Sequence, residues 1–434
     1  MKKIVLCFLA TVTLLFTAGA QNLVCGYDLA VYQLDQLYPG YKAAVDATFE
    51  AAKKLAAELP NMAARQEVYT IPVVVHVVWK DSVENIPLSQ IEDQMDVLNE
   101  AYRRLNADTV NTRDIFKPFA GDAKIEFVLT EVIRVKTDAS FSPTLTSVVI
   151  DQVKQTANGG SDAADPVHFL NIWVCRINPI SIGGINLGQI LGYAYPPADL
   201  ANWPAGAAAP SLELEGVVVD FRAFGRGLTY DMQGMLLPIE GRTTVHEVGH
   251  YLGLRHIWGD GLSALLGIPD CNASDGIDDT PTQGLGSQFA CNHNQNTCTD
   301  PGDDLPDMIE NYMDYSREDC QNMLTHGQIA HIHAVLEGPR RPLWEQFTSS
   351  KSVATSTPVT MWPNPVTASL RIETAGNAAY TARVLNALGQ PVQLVYFNGN
   401  GQIEMGRMQA GIYYVQLLET NTGKQVAIEK IAKW

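Results

Sequence analysis

The sequence has few basic residues for its length. Its 434 residues include 30 lysines and arginines against 47 aspartates and glutamates, so the formal net charge is -17. A chain this acidic repels the phosphates of nucleic acid, which argues against such a partner. The acidity is compatible with cationic substrates or with calcium, and equally with solubility alone.

Long apolar runs are missing except at the N-terminus. Residues 1–20 contain two lysines, an apolar run from Ile4 to Phe16 and the small residues Ala18-Gly19-Ala20. This order predicts a signal peptide and export to the periplasm. No other segment is apolar over about 18 residues, so we expect a mature protein without a stable membrane span.

Cysteine is also scarce, with seven in the chain. Loss of the signal peptide would remove Cys7 and leave an even number, which is typical of an oxidising compartment. Cys175 lies in an apolar segment and is predicted to be a buried free thiol. Four more cysteines lie close together in the sequence: Cys271, Cys291, Cys298 and Cys320. Their spacing does not choose among the three possible disulfide pairings. A second metal site formed by these cysteines is the alternative to disulfides.

The most informative motif that is present spans residues 246–256, which match H-E-x-x-H-x-x-G-x-x-H. On a helix, His246 and His250 share one face and can bind the same zinc ion. Gly253 tolerates the positive φ of a sharp turn that would return His256 as a third ligand. Three imidazoles leave one position open for water, as in catalytic zinc sites.

Glu247 lies between the first two histidines of this motif. It cannot easily bind the same zinc as its neighbours, so we predict that it accepts a proton from the attacking water and later passes it to the leaving amine. The motif therefore predicts one catalytic zinc and hydrolysis of protein or peptide substrates. A core helix with scattered histidines is the alternative.

Apolar periodicity around the motif predicts alternating helices and strands. Ile91, Met95 and Leu98 recur at helical spacing. The predicted strands are Tyr69 to Trp79, Ile125 to Ile133, His168 to Cys175 and Val217 to Phe221.

The motif resembles that of the metzincin metalloproteases, whose second mark is a methionine turn. Residues 311–315, Asn-Tyr-Met-Asp-Tyr, resemble that turn, and Cys320, Thr325 and Gln328 resemble the pappalysin (cytophagalysin) branch over roughly residues 66–346. The resemblance implies an α+β fold: a twisted mixed five-stranded sheet, a backing helix, an active-site helix and a loop-rich lower subdomain. It also implies a secreted zinc endopeptidase made as a zymogen.

The resemblance assigns roles to further residues near the motif. Met313 would form a hydrophobic base beneath the metal, and Tyr315 would reach the zinc or stabilise the oxyanion, unless it is an ordinary core tyrosine. Gly192 and Tyr193 lie where the family keeps the edge strand to which substrate adds. A catalytically inactive adhesin with the same fold is the alternative, although neither Glu247 nor a histidine ligand is missing.

Residues 21–64 show helical spacing, lack a strand signal and are too short to bury their own core. The resemblance implies a propeptide whose Cys25 thiolate occupies the open zinc position. The alternatives are a disulfide with Cys175 and an idle thiol. We predict maturation before Arg65 and a catalytic domain at 65–347.

The resemblance also implies the disulfides Cys271–Cys298 and Cys291–Cys320. An oxygen-rich loop lies between these cysteines, in the region where the family binds calcium. The resemblance implies Asp275, Asp279 and Thr280 as calcium ligands. An ordinary Asp-rich surface loop is the alternative.

The chain beyond the methionine turn lines the S1′ pocket in metzincins. A carboxylate of Asp319 there would favour arginine at P1′ through two parallel N–H groups. Glu318 is the second candidate for this role, and a merely solvated Asp319 is the alternative.

The C-terminal region begins with a Ser/Thr-rich linker at 348–358. Short alternating strands over 359–434 predict a small all-β sandwich. Trp362-Pro363-Asn364-Pro365, Gly411-Ile412-Tyr413-Tyr414-Val415 and the last residues resemble the sorting domain of the bacterial type IX secretion system. This implies interaction with that machinery and passage across the outer membrane to the cell surface or the extracellular space. A carbohydrate-binding sandwich is the alternative, but no aromatic platform is evident.

Overall fold

The computed structural model describes residues 25–58, 68–143, 151–182, 185–198, 210–232, 234–260, 268–300, 302, 304–348, 359–374, 377–386, 391–420 and 425–434. The predicted signal peptide and the bond before Arg65 lie outside these ranges. The chain divides into two compact units. They comprise Met1–Phe127 with Val132–Trp344, and Val128–Glu131 with Glu345–Trp434.

Two N-terminal helices, α1 (Tyr27–Leu37) and α2 (Tyr41–Glu58), open the described chain. Gly40 between them has φ +99°, which glycine adopts without steric cost. The buried side chains of α1 share a core with Cys175 and Tyr193 from the sheet. The helical spacing of this segment is thus confirmed, and its apolar face is buried against the rest of the first unit.

The central sheet has the strand order β2-β1-β3-β7-β6. Strand β1 is parallel to β3, β3 is parallel to β7, and β6 is antiparallel to β7 at the edge of the sheet. Every residue of β3 and β7 is buried, as expected for parallel strands covered on both faces. The strands are β1 (Tyr69–Trp79), β2 (Ile125–Lys136), β3 (Leu170–Cys175), β6 (Gly192–Ala194) and β7 (Val217–Asp220), and a separate pair is formed by β4 (Ile180–Ile182) and β5 (Ile185–Gly188).

Helix α3 (Leu88–Tyr102) packs against the motif helix α4 (Arg242–Tyr251). The Tyr102 hydroxyl donates to the Val245 carbonyl at 3.1 Å, and Gln94 Nε2 donates to Gly241 O at 3.0 Å. A hairpin of β8 (Arg226–Met232) and β9 (Met235–Glu240) directly precedes α4. These hydrogen bonds hold the N-terminal half of α4 against α3.

Loops dominate the chain after α4, as the resemblance implied. They carry the disulfides Cys271–Cys298 and Cys291–Cys320, so the expected pairing is confirmed. Helix α5 (His326–Glu337) follows with a reciprocal capping box between Thr325 and Gln328, and then α6 (Pro342–Thr348).

The C-terminal unit contains two antiparallel sheets, ordered β10-β11-β14 and β13-β12-β15-β16. Alternate residues of both sheets, among them Leu370, Val384 and Val415, enclose one apolar core. The predicted all-β tail is therefore present. Its strands are β10 (Val359–Trp362), β11 (Ser369–Thr374), β12 (Ala379–Leu385), β13 (Pro391–Asn398), β14 (Gly401–Glu404), β15 (Gly411–Glu419) and β16 (Gln425–Lys433). In the described parts of both units, no helix is long and apolar enough to cross a membrane.

Candidate active site

The three histidines of the motif converge on one point. Helix α4 places His246 and His250 on one face, with their Nε2 atoms 3.0 Å apart. Gly253 has φ +93° just beyond the helix, and the turn brings His256 Nε2 to 3.2 Å from His250 Nε2. Burial lowers the pKa of His246 to about 3 and that of His256 to about 4, so the imidazoles are neutral.

The outer ring nitrogens show which nitrogen atoms face the centre of the cluster. His246 Nδ1 lies 2.7 Å from the Tyr312 carbonyl, and His250 Nδ1 lies 2.8 Å from the Leu254 carbonyl. A carbonyl can only accept, so each Nδ1 carries the proton and each Nε2 lone pair points inward. Neutral acceptors this close repel one another unless a cation lies among them, so this donor set fits a metal ion.

Cys25 completes the cluster. Its Sγ and the three histidine nitrogens all lie within 4.8 Å of one another, and nitrogen with sulfur is a donor set typical of zinc. Burial and the Glu247 carboxylate raise the pKa of the Cys25 thiol, so a thiolate here requires a nearby cation. Cys25 and Cys175 are both free and buried, which contradicts the alternative of a disulfide between them.

The backbone at Cys25 extends the sheet. Cys25 forms a parallel bridge with Gly192, and Gly26 N donates to Gly192 O at 2.8 Å. The N-terminal segment therefore lies along the edge strand β6, where the sequence predicted substrate binding. Gly26 also packs closely against Tyr193 of this strand, because a Cβ added at Gly26 would lie 3.0 Å from Tyr193 Cβ.

Glu247 is buried between the metal cluster and the edge strand. The Cys25 thiol donates to its Oε2 at 3.5 Å. A Cβ at Gly192 would lie 2.7 Å from Glu247 Cγ, so only glycine fits there without displacing the carboxylate. Burial raises the pKa of Glu247 to about 8, and a cation beside it would favour the ionised form.

The methionine turn lies beneath α4. Met313 is fully buried, and its Sδ would lie 2.5 Å from a Cβ at Gly249, so the sulfur packs directly against the helix backbone. Tyr315 places its hydroxyl 3.1 Å from His256 Nε2. Met313 therefore packs under α4, and the Tyr315 hydroxyl lies beside the histidine cluster.

A cavity extends from Glu247 along the methionine turn. Glu318 lines it, but its carboxylate accepts from Arg242 N at 3.0 Å and from Thr243 N at 2.8 Å, and so caps α4. Asp319, which follows Glu318 in the chain, does not itself line the cavity. Its two oxygens each lie 3.0 Å from Arg317, whose side chain lines the cavity instead.

The sequence interpretation also missed one wall of this cavity. Leu237, Pro238 and Ile239 of β9 line it together with residues of the methionine turn. The available signal was the alternation around Gly234, which is typical of a hairpin.

The proposed calcium ligands are only partly gathered. Asp275 Oδ1 accepts from the Thr280 hydroxyl at 2.9 Å, and Asp275 Oδ2 is buried with no hydrogen-bond partner. Asp279 instead accepts from Thr325 Oγ1 at 2.6 Å and Gly327 N at 2.7 Å, because the first turn of α5 leaves donors unpaired. Asp275 and Thr280 thus contact each other, whereas Asp279 caps a helix.

Two family sequence models match the chain. The model described as Pregnancy-associated plasma protein-A, a peptidase family, matches residues 238–337, and the model of the Secretion system C-terminal sorting domain matches residues 360–433. Among curated relatives, Extracellular metalloprotease 1 of Coccidioides posadasii is 28% identical over 310 residues, covering 70% of this chain and 87% of the relative.

Solved structures with the same fold include two forms of one Tannerella forsythia protein. Mature mirolysin in complex with a cleaved peptide is 34% identical, with a TM-score of 0.53, and the match covers 64% of this chain and 97% of that chain. A promirolysin variant is 33% identical, with a TM-score of 0.58, and the match covers 74% of this chain and 97% of that chain.

Proposed function

The chain belongs to the pappalysin family of metzincin metalloendopeptidases, and we propose that it is a secreted zymogen whose zinc is held by His246, His250 and His256. The observation that carries this proposal is the convergence of three neutral Nε2 atoms and one thiol within 4.8 Å. When bound, zinc lowers the pKa of a coordinated water to about 7 and polarises the scissile carbonyl.

Glu247 moves the proton in this proposal. Its carboxylate accepts a proton from the attacking water and delivers it to the nitrogen of the leaving amine. The Tyr315 hydroxyl, 3.1 Å from His256 Nε2, donates to the oxyanion as it develops. Gly192 leaves the space that Glu247 occupies, so the carboxylate can approach a substrate lying on β6.

The edge strand holds the substrate backbone. Gly192 O already accepts from Gly26 N, so the same carbonyl can accept a substrate N–H once residues 21–64 are removed. We call these residues the prosegment. Cys25 Sγ would serve as a further zinc ligand until the bond before Arg65 is cut, and the prosegment would keep the enzyme latent.

Metal analysis tests the composition of the site. The purified Glu247→Ala precursor is expected to contain one zinc per chain and also calcium, held by Asp275 and Thr280. His256→Ala should lower the zinc content and leave calcium bound, whereas Asp275→Ala should lose calcium and keep zinc, so each variant is the control for the other. A wild-type precursor that binds no zinc would contradict the proposed function, and unchanged calcium in Asp275→Ala would contradict the calcium site.

Asp319 is proposed to select arginine at P1′. Its present partner, Arg317, lines the cavity and makes the two-oxygen contact that a substrate arginine would make. Asp319→Ala should lower the ratio of kcat/KM for P1′ arginine over P1′ leucine about tenfold, which corresponds to about 1.4 kcal/mol. Asp114→Ala, which removes another exposed and paired carboxylate, is the control. An apolar P1′ preference of the wild type in a peptide library would refute this assignment.

Secretion follows from the sorting domain and the extracellular relatives. We propose the route through a signal peptide at residues 1–20 into the periplasm, and then through the type IX machinery. The substrates are proteins or peptides outside the producing cell.

A further inference from the structure

Two buried atoms face each other behind the third histidine without a hydrogen bond between them. His256 Nδ1 and Asp260 Oδ1 are 3.9 Å apart, and neither has a hydrogen-bond partner. Trp258 stacks on the His256 ring at 4.7 Å with an interplanar angle of 5°, so the ring plane is already fixed. The outer nitrogen of His256 thus has carboxylates close to it, but it makes no hydrogen bond.

The other two histidines already have such an acceptor. Backbone carbonyls receive Nδ1–H of His246 and His250, which fixes their tautomers. The groups at ion-pair distance from His256 Nδ1 are carboxylates: Asp28 Oδ2 at 3.2 Å and Asp260 Oδ1 at 3.9 Å. The tautomer that directs Nε2 to the metal therefore depends on a carboxylate.

The prosegment keeps Asp260 in its present position. The Tyr27 hydroxyl donates to Asp260 Oδ2 at 3.0 Å, while the Tyr27 ring stacks on His250 at 4.0 Å. Asp28, the next residue, is nearer to the imidazole than Asp260 is, with its Oδ2 3.2 Å from His256 Nδ1. Arg255 Nε is 3.3 Å from Asp260 Oδ2, so a neighbour outside the prosegment also engages that oxygen and not Oδ1.

We propose that Asp260 is the positioning residue for His256 in the mature enzyme, and that Asp28, whose Oδ2 lies 3.2 Å from Nδ1 without a hydrogen bond, holds the outer N–H through its charge in the precursor. Removal of the prosegment takes away both Tyr27 and Asp28. Asp260 Oδ1 then closes the short remaining distance and accepts Nδ1–H of His256. This inference rests on the proposed zinc site and prosegment, and it adds an exchange of the carboxylate behind the third ligand during maturation.

Zinc release to a chromogenic chelator tests this exchange. Precursors in the Glu247→Ala background are compared with the same proteins after cleavage by trace wild-type enzyme. Asp260→Ala should speed zinc release at least about tenfold in the mature form and much less in the precursor. Asp28→Ala should show the reverse, with faster release from the precursor and no change in the mature form, which has lost Asp28.

A structural role for Asp260 would not give this crossed pattern. Equal acceleration by Asp260→Ala in both forms, or no acceleration in the mature form, would overturn the proposal. Asp260→Asn keeps an oxygen acceptor of the same shape. The mature Asp260→Asn protein should therefore release zinc more slowly than the mature Asp260→Ala protein. If the Asp260→Ala protein does not fold, Asp260→Asn takes its place in the comparison. A wild-type protein without zinc would instead refute the proposed function.

Discussion

The mature Glu247→Ala protein is expected to fold and to bind zinc, but to cleave peptides with a kcat about 10²–10⁴-fold lower than that of the mature wild type. All three histidines remain in the variant, and Glu247 is not one of the clustered ligand residues. The loss arises because the attacking water no longer has a base beside it. Steady-state kinetics on a fluorogenic peptide, with zinc content measured on the same sample, gives the result.

Glu247→Gln separates charge from shape. It fills the space beside Gly192 but cannot accept the proton, so its kcat should fall as far as that of the alanine variant. The Glu247→Ala precursor should also stay uncleaved before Arg65 when it is kept apart from active enzyme. Wild-type turnover by either variant, with contaminating proteases excluded, would show that another group is the base.

Cys25→Ala should raise the peptidase activity of the intact precursor by at least about tenfold and shorten its maturation, because the thiol no longer occupies the fourth zinc position. The bond from Gly26 N to Gly192 O and the stacking of Tyr27 on His250 remain, so latency should fall but not vanish. Activity and N-terminal processing are followed together over time.

Cys175→Ala is the matched control. Cys175 is the other free, buried thiol of the described chain, and it lies in β3, where it is not part of the zinc cluster. Its removal should leave latency unchanged. Equal latency of the Cys25→Ala and wild-type precursors would show that Cys25 is an idle thiol.

Local chemistry made the metal site predictable from the sequence. The spacing of His246 and His250 is a property of one helix, and the positive φ of Gly253 is a property of one residue. The central strands were equally predictable from the sequence, because β3 and β7 are buried along their whole length and consist mostly of apolar residues. Only strand ends differ, with β2 extending to Lys136 and β3 beginning at Leu170.

Contacts between distant segments were not predictable in the same way. Glu318 caps α4, and Asp279 caps α5, although nothing in their local sequence marks them as helix caps. The sequence suggests ligand or substrate binding for both carboxylates, whereas in the structure each accepts from unpaired N–H groups at the start of a helix. The approach of Asp28 and Asp260 to His256 likewise depends on how α1 packs.

Pairing of close neighbours limited the prediction at the substrate cavity. Arg317 and Asp319 are two residues apart and form an exposed ion pair, which sequence spacing alone does not specify. The wall formed by Leu237 and Ile239 depends on where the β8–β9 hairpin folds relative to α4. Specificity in this cavity is therefore a tertiary property, whereas the zinc site is largely a local one.

The most direct test of the account is X-ray absorption at the zinc edge on the purified Glu247→Ala precursor. Zinc bound by three nitrogen ligands and one sulfur ligand, with the sulfur signal lost in the Cys25→Ala double variant, is the predicted result. Absence of zinc, or a zinc environment without sulfur in the intact precursor, would contradict the latent zinc site on which the account depends.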